Sequence, residues 1–385
     1  MTHNVITSRN GARPMSSNAA AWLPSPRADL VVGPAALHEP GPGEILIRSR
    51  AVAVNPLDDV KQWTGDLMYR WLGYPAVLGE DVAGEVAAVG EGVTRFAVDD
   101  RVAAYAVGME RGRRHEAEGA FQLYVVVRED LATPLPDGLS FEQAAVLPLA
   151  VSTAATALFQ DDQLALRTPT ADAAPTGETL VVWGGSTSVG SNAIQLAVAA
   201  GYRVITTASP HNESRMRELG AELVVDYRAP GAVAAIVSGV GGRPLAGVVA
   251  IGAGSGDAAV RIAAAASARR VALLSPPIAF TTLPRRGGPS IAFLRTMTTI
   301  GLSQLATQAR ARRHGIAARF VWGSSLMTNS VGPMLWEDYL PRALAEGRHV
   351  CVPEAEIVGE GLESVQHALN LLHAGVSARK LVVRL

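Results

Sequence analysis

Between Leu30 and Val127 the apolar positions fall in short β-rich runs, EILIRSRAVAV, DVAGEVAAVG, DRVAAYAV and FQLYVVV, separated by Gly and Pro turns. Runs of this length and punctuation predict strands, and their succession predicts a small, partly open barrel. One charged stretch, MERGRRHEAEG, interrupts them and reads as an exposed loop. From about Ser140 the period lengthens, and FEQAAVLPLAVSTAATALF predicts a helix. After a linker, RTPTADAAPTGE, the β-rich runs TLVVWG, RVITTA, ELVVDY, GVVAI and VALLS alternate with helical segments such as SNAIQLAVAA and ESRMRELG. Strand, helix and strand in regular succession predict a parallel, doubly wound sheet, so the fold class is α/β. Beyond Leu274, Arg295 to Arg313, LWEDYLPRALAEG and LESVQHALNLLHAG predict helices, KLVVRL predicts a last strand, and no internal repeat is present.

A length of 385 residues exceeds a usual single domain and fits two cores. With 34 basic against 35 acidic side chains the formal net charge is -1, so no global field favours nucleic acid or an anionic membrane, and a small molecule is the expected substrate. Cys351 is the only cysteine, which excludes an intramolecular disulfide and a zinc site built of several thiolates, and fits a reducing, cytoplasmic setting. No apolar run is expected to reach the roughly 18 to 20 residues of a membrane helix; Ala258 to Ala268 is short and carries Arg261. Residues 1–22 have no secretory apolar core and read as a disordered tail, although the absence of acids beside Arg9 and Arg13 has a transit-peptide character.

The strongest chemical signal is VVWGGSTSVGSNAIQLAVAAG, residues 181–201. A strand runs into Gly184 and Gly185, a turn of Ser186, Thr187, Ser188 and Val189 follows, and Gly190 opens a helix. Phosphate recognition needs this order, because amides at a helix N-terminus must face the anion with no side chain between. Thr187 stands where the usual spacing has a middle glycine. An NAD site carries Asp or Glu about 20 residues past the glycines, to bind the ribose 2′-hydroxyl. Here the next strand runs into TTASPHN, with Ser209 in the acid's place. Ser209, His211, Arg215 and, after the following strand, Tyr227 would accept a 2′-phosphate that a carboxylate would repel, so NADPH is the expected cofactor. A methyltransferase also carries a Gly-rich loop, but its fold has no place for the β-rich first half.

In order, AVNPLD, VLGEDVAGEVAAVGEGV, GAFQLYVVV, AAVLPLAVSTA and the glycine loop resemble the medium-chain dehydrogenase/reductase superfamily from about Leu30 to Leu385. Within it the chain looks most like the zinc-independent branch of quinone oxidoreductases and enoyl reductases; SPHN, LGAELVVDYRAP and SARKLVVRL resemble the stand-alone enoyl reductases that serve fungal polyketide synthases. The resemblance implies a GroES-like catalytic domain (23–150), an inserted Rossmann domain (151–325) and a C-terminal segment (326–385) returning to the catalytic domain. Zinc alcohol dehydrogenases have a cysteine where this chain has Asn55 and a histidine where it has Glu80, so no catalytic metal is expected. The implied reaction is hydride addition to the β-carbon of an activated C=C bond, with hydrogen-bond donors stabilising the enolate and an acid protonating the α-carbon.

The resemblance places Asn55 at nicotinamide or substrate, and Lys61 and Tyr69 become candidate donors, while Asp58 and Asp59 read as helix caps. It places Thr153 at the nicotinamide amide and Arg379 and Lys380 near the pyrophosphate; Gly252 and Leu274 end successive strands at the sheet edge where ligands sit. The substrate is expected to be small, either free or bound to coenzyme A or a carrier protein, with the basic run RARRH (310–314) read as a landing point for the carrier or a solvated helix face; the protein is expected to be a monomer or homodimer. A quinone oxidoreductase and a non-catalytic NADPH-binding protein stand as alternatives. The segments Arg285 to Met297 and Val321 to Met334 are expected to line the substrate pocket.

Overall fold

The structure, a computed structural model, describes residues 17–170, 173–277, 283, 285 and 291–385. The first half holds strands β1 (Asn18–Leu23), β2 (Val31–Ala35), β3 (Glu44–Ala53), β4 (Ala76–Val77), β5 (Asp81–Val89), β6 (Arg101–Tyr105), β7 (Tyr124–Arg128) and β8 (Ala132–Pro134). The second holds β9 (Thr179–Trp183), β10 (Arg203–Thr207), β11 (Leu223–Val225), β12 (Leu245–Ala250), β13 (Arg270–Leu273) and β14 (Ala317–Phe320), followed by β15 (Glu354–Glu360) and β16 (Arg379–Arg384).

Strands β9 to β14 form one parallel sheet in the order β11-β10-β9-β12-β13-β14. Its central strand, TLVVW, is apolar on both faces, as a sheet covered by helices on both sides requires. The order reverses between β10 and β12 around β9, and the crevice at such a reversal is where open α/β sheets bind ligands. In the other domain β1 pairs with β2 and β4, while a second sheet runs β15-β16-β3-β5-β6-β8 with β7 also on β3. β3 alternates buried apolar residues with Arg48 and Arg50, which both reach Glu85 of β5 on the outer face. β16 joins β3 antiparallel, Val382 opposite Ala53, so the far end of the sequence completes the first sheet.

Four helices position the site. α1 (Pro56–Thr64) begins with Asn55 as an extended N-cap and Pro56 at its first position. α2 (Pro148–Phe159) is buried along almost its whole length between the two domains. α3 (Ser188–Ala199) follows the glycine turn, and α4 (Ser364–Ala374) packs on α1, where His373 stacks on Trp63 at 3.5 Å and hydrogen-bonds Asp59 at 3.1 Å.

Three expectations are corrected. Residues 1–16 lie outside the described residues, but the tail does not extend to residue 22: Asn18–Leu23 is β1, with Ala20, Ala21 and Leu23 fully buried against the first core. The charged stretch 109–119 is exposed only about Arg111 to Arg114; Met109, Glu110, Ala117 and Glu118 are buried, and Arg113 and Arg114 are tied to Glu118 at 2.6 and 2.9 Å. Phe141–Phe159 does have the length and apolar character of a membrane span, but most of it is buried within the fold and it breaks into two helices, Phe141–Ala144 and Pro148–Phe159.

Candidate active site

A cavity of about 470 Å³ opens between the two domains. On one side stands the glycine turn. Gly184 has φ +94°, and a Cβ on Gly190 would lie 2.2 Å from the Gly184 carbonyl oxygen, so only glycine lets helix α3 start this close to β9. Thr187, where the middle glycine was expected, is the N-cap of α3: its hydroxyl accepts from the Gly190 N–H at 3.0 Å and donates to the Gly184 carbonyl at 2.8 Å. The first-turn amides of a helix have no intrahelical acceptor, so capping of Gly190 leaves those of Ser188 and Val189, both on the cavity wall, for a ligand.

The opposite wall carries Asn55, 1 % exposed, at the end of β3. Its Nδ2 donates to Asp81 Oδ2 at 2.8 Å, and its Oδ1 accepts from the Lys380 ammonium. Lys380 also pairs with Asp81 Oδ2 at 2.8 Å, both side chains being almost wholly buried. Asp81 Oδ1 accepts the Leu149 N–H at 2.6 Å, where α2 begins. The three elements β3, β5 and β16 lie side by side in one sheet, so Asn55, Asp81 and Lys380 meet at the same strand ends. Asp58 sits beneath them, accepting from the Asn55 N–H (2.8 Å) and the Gly79 N–H (3.0 Å); burial, with the Asp81 charge adding to it, pushes its carboxyl up to about 7. It is thus the helix cap expected, and it does not line the cavity.

Ser186, Thr187, Ser188, Val189, Thr153, Gly252, Leu274, Arg379 and Lys380 line the cavity with Asn55, drawn from segments up to 325 residues apart. Gly184 and Gly185 shape the turn from behind: a Cβ on Gly185 would meet Thr206 Oγ1 at 2.1 Å. Ser209, His211, Arg215 and Tyr227 lie outside the cavity wall, past the C-terminal ends of β10 and β11. Thr207 pairs with Val225, which brings Ser209 and Tyr227, two residues on in each strand, to the same edge. His211 and Tyr227 are exposed, and Arg215 rests on Glu218 at 2.9 Å.

Lys61 is elsewhere. Its ammonium is buried on the far side of α1, bonded to Asp66 Oδ1 (3.0 Å) and to the carbonyls of Tyr69 (3.2 Å) and Leu72 (3.5 Å), and it anchors the loop after α1 without reaching the cavity. Desolvation lowers its pKa. Tyr69 also lies off the wall, 1 % exposed, with no partner for its hydroxyl among the described residues; burial raises its pKa well above the ordinary phenol value.

Two further acids stand at the site, Glu80 behind the wall and Glu110, which no motif marked, on it. Glu80, in the position discussed for a zinc ligand, is fully buried, accepts a long bond from the Tyr105 hydroxyl (3.4 Å) and has no partner for Oε2 among the described residues; burial and then the charges of Asp58, Glu110 and Asp81 raise its pKa strongly. Glu110 lines the cavity beside Tyr105 and accepts from Trp322 Nε1 at 3.0 Å. Desolvation raises its pKa against the pull of the Trp322 and Ser324 hydrogen bonds. Among the described residues no group of three or more His, Cys, Asp or Glu side chains is arranged to hold a metal ion. Of the two pocket-lining segments expected, the second contributes Val321 to Ser324; of the first, only 285 and 291–297 are among the described residues, and none of these is on the wall.

Residues 41–137 match the model of the alcohol dehydrogenase GroES-like domain. Over 374 residues the chain is 44 % identical to the dehydrogenase pigH of Monascus ruber, covering 96 % of this chain and 100 % of that one. The trans-enoyl reductase himH of Aspergillus japonicus is 38 % identical over 372 residues, 96 % of this chain and 97 % of its own. A solved alcohol dehydrogenase superfamily protein from Novosphingobium aromaticivorans superimposes with a TM-score of 0.68 at 25 % identity, covering 96 % of this chain and 100 % of that one. With the GroES-like sheet, the parallel sheet and the glycine turn facing one cavity, these likenesses make the chain an oxidoreductase of the medium-chain dehydrogenase/reductase superfamily.

Proposed function

We propose that the protein is an NADPH-dependent reductase of activated C=C bonds, such as enones or enoyl thioesters, and that it works without a metal. The observation that carries this reading is the pairing of walls in one cavity: a helix N-terminus with free amides on one side, and on the other the Asn55 carboxamide and the Lys380 ammonium, with Asn55 and the buried Glu80 at the positions where a zinc site would need thiolate and imidazole. The trans-enoyl reductase name of himH, at 38 % identity, supports it.

The amides of Ser188 and Val189 would receive the pyrophosphate, Thr153, Gly252 and Leu274 would flank the nicotinamide half, and Ser209, His211, Arg215 and Tyr227 would meet the 2′-phosphate. Bound there, the dinucleotide supplies the hydride. The protein supplies the electrostatics. Lys380 spends two N–H bonds on Asn55 and Asp81 and keeps a third for the substrate carbonyl, whose oxygen gains charge as the bond is reduced. Asp81 and Asn55 fix the ammonium so that it needs no rearrangement as that charge develops.

The test is NADPH consumption by the purified protein across enones, enoyl thioesters of coenzyme A and of carrier protein, and quinones. Turnover of the first two classes is expected. Quinone turnover alone would make it a quinone oxidoreductase, and NADPH binding with silence on every acceptor would make it a binding protein.

A further inference from the structure

We propose that Glu110 is the acid that delivers the proton to the α-carbon of the reduced bond, with Trp322 holding its carboxyl group at the cavity wall. This rests on the double-bond reading above. Glu110 is the only Asp or Glu among the described residues that line the cavity. The other nearby acids are shut out: Asp58 and Glu80 lie behind the wall, and Tyr69 does not reach it. Tyr105 does reach it, but burial and the charges of Glu80 and Glu110 raise its phenol pKa well above the ordinary value, and its hydroxyl is turned to Glu80. Glu110 is 8 % exposed and lines the cavity, and desolvation raises its pKa, which favours the protonated form. The indole N–H of Trp322 and the Ser324 hydroxyl bind it from the segment after β14, in the other domain, while Glu80, Tyr105 and Tyr69 are the titratable groups facing it from its own domain. The acid thus sits where the two domains meet, as does the cavity.

The step balances. Hydride brings two electrons to the β-carbon and forms its new C–H bond, and the π pair moves through the α-carbon onto the carbonyl oxygen. The Glu110 O–H bond then breaks, its proton forms the C–H bond at the α-carbon, and the O–H electrons stay on the carboxylate, which takes a proton from water before the next turnover.

The experiment uses the full chain with NADPH and an enone that the wild type reduces. Glu110→Gln keeps an oxygen for the Trp322 N–H and removes the acidic proton. Its kcat should fall about a hundredfold or more, with NADPH affinity unchanged. In D2O the wild type should place deuterium on one face of the α-carbon, and the variant should place it on both. The wild type should lose kcat on the alkaline side as Glu110 ionises, and the variant should not. Trp322→Phe is the second variant: it removes a hydrogen bond that holds the Glu110 pKa down, so the alkaline limb should move to higher pH. Unchanged kcat and single-faced deuteration in Glu110→Gln would overturn the assignment, and if that variant does not fold, an unmoved limb in Trp322→Phe would overturn it. If the wild type reduces no activated double bond, the double-bond reading itself falls, whatever the variants do.

Discussion

Replacing Lys380 with Met strips the buried network of its only positive charge. At 2.8 Å the attraction between Lys380 and Asp81 is about 6 kcal/mol if the effective dielectric is about 20. Most of that is offset by the cost of taking both ions out of water, so the pair adds little net stability, but removing one partner strands the other and costs about 3–5 kcal/mol. The two single variants should differ. In Lys380→Met the Asp81 carboxylate stays buried against Asp58 with only hydrogen bonds, from Leu149 N–H and Asn55 Nδ2, to hold it. In Asp81→Asn the carboxyl of Asp58, pushed up to about 7 in part by Asp81, is released from that repulsion and ionises toward Lys380, replacing part of the lost anion. Lys380→Met is therefore expected near the upper end of the range and Asp81→Asn near the lower. The double variant, with no charge stranded, should recover about 2–3 kcal/mol relative to the sum of the singles. Urea unfolding at pH 7, followed by tryptophan fluorescence and far-ultraviolet circular dichroism, measures all four proteins. Singles that cost less than about 1 kcal/mol, or a double equal to their sum, would refute a charge pair as the organiser of this wall.

Asn55→Ala should lower kcat at least about tenfold while leaving the NADPH Kd within about threefold, because it unties Lys380 from its fixed position without touching the glycine turn; steady-state kinetics and cofactor titration separate the two. Lys61→Met should cost about 2 kcal/mol in urea by removing the buried donor of the Leu72 carbonyl, while Asp66 keeps the Tyr74 hydroxyl and the Tyr69 carbonyl keeps the Leu72 N–H, yet change kcat/KM little, since Lys61 faces away from the cavity. Ser209→Asp should turn the KM ratio toward NADH by at least about tenfold, through repulsion of the 2′-phosphate. His349, buried between Asn192 and Tyr339, has its pKa lowered to about 3 by burial, from 6.5 in the unfolded chain. The fold needs it neutral, so its contribution is complete above pH 6.5 and is lost as the pH falls toward 3; at pH 4.5 the loss is about 3 kcal/mol. His349→Asn should remove that part of the acid slope in urea midpoints taken from pH 7 to 4.5.

Local pattern was enough for the parts of the molecule that are local. The parallel sheet could be read from β-rich runs at regular spacing, and the glycine turn from a strand, a turn and a helix that are consecutive in sequence; even Thr187, a departure from the usual spacing, is an N-cap that sequence chemistry allows. The wall built by Asn55, Asp81 and Lys380 is not local. Asn55 meets Lys380 across 325 residues and Asp81 across 26, and nothing in GEDVAG marks Asp81 as the residue that joins them. Lys61 shows the opposite failure: neighbouring positions on a helix point about 100° apart, and its own position on α1 turns the ammonium toward the loop behind the helix, which residue type alone does not reveal. Glu110 was hidden in MERGRRHEAEG because charge density reads as solvation, while the burial of both ends of that stretch depends on partners from other elements.

The place of β16 beside β3 has a bearing on biosynthesis. β9 to β14 come from one continuous stretch of chain and can assemble as soon as that stretch leaves the ribosome, since domains tend to fold as units during synthesis. The first sheet cannot finish then. The edge of β3 at Ala51 to Ala53, and the lower face of Asn55, stay open until residues 379–384 have been made, because only β16 brings their pairing partners and Lys380. The nascent protein must therefore carry an unfilled strand position through the synthesis of more than three hundred residues, and an mRNA cut short before that strand would yield a chain with a formed nucleotide-binding half and an unclosed catalytic one, a species suited to recognition by chaperones and proteases.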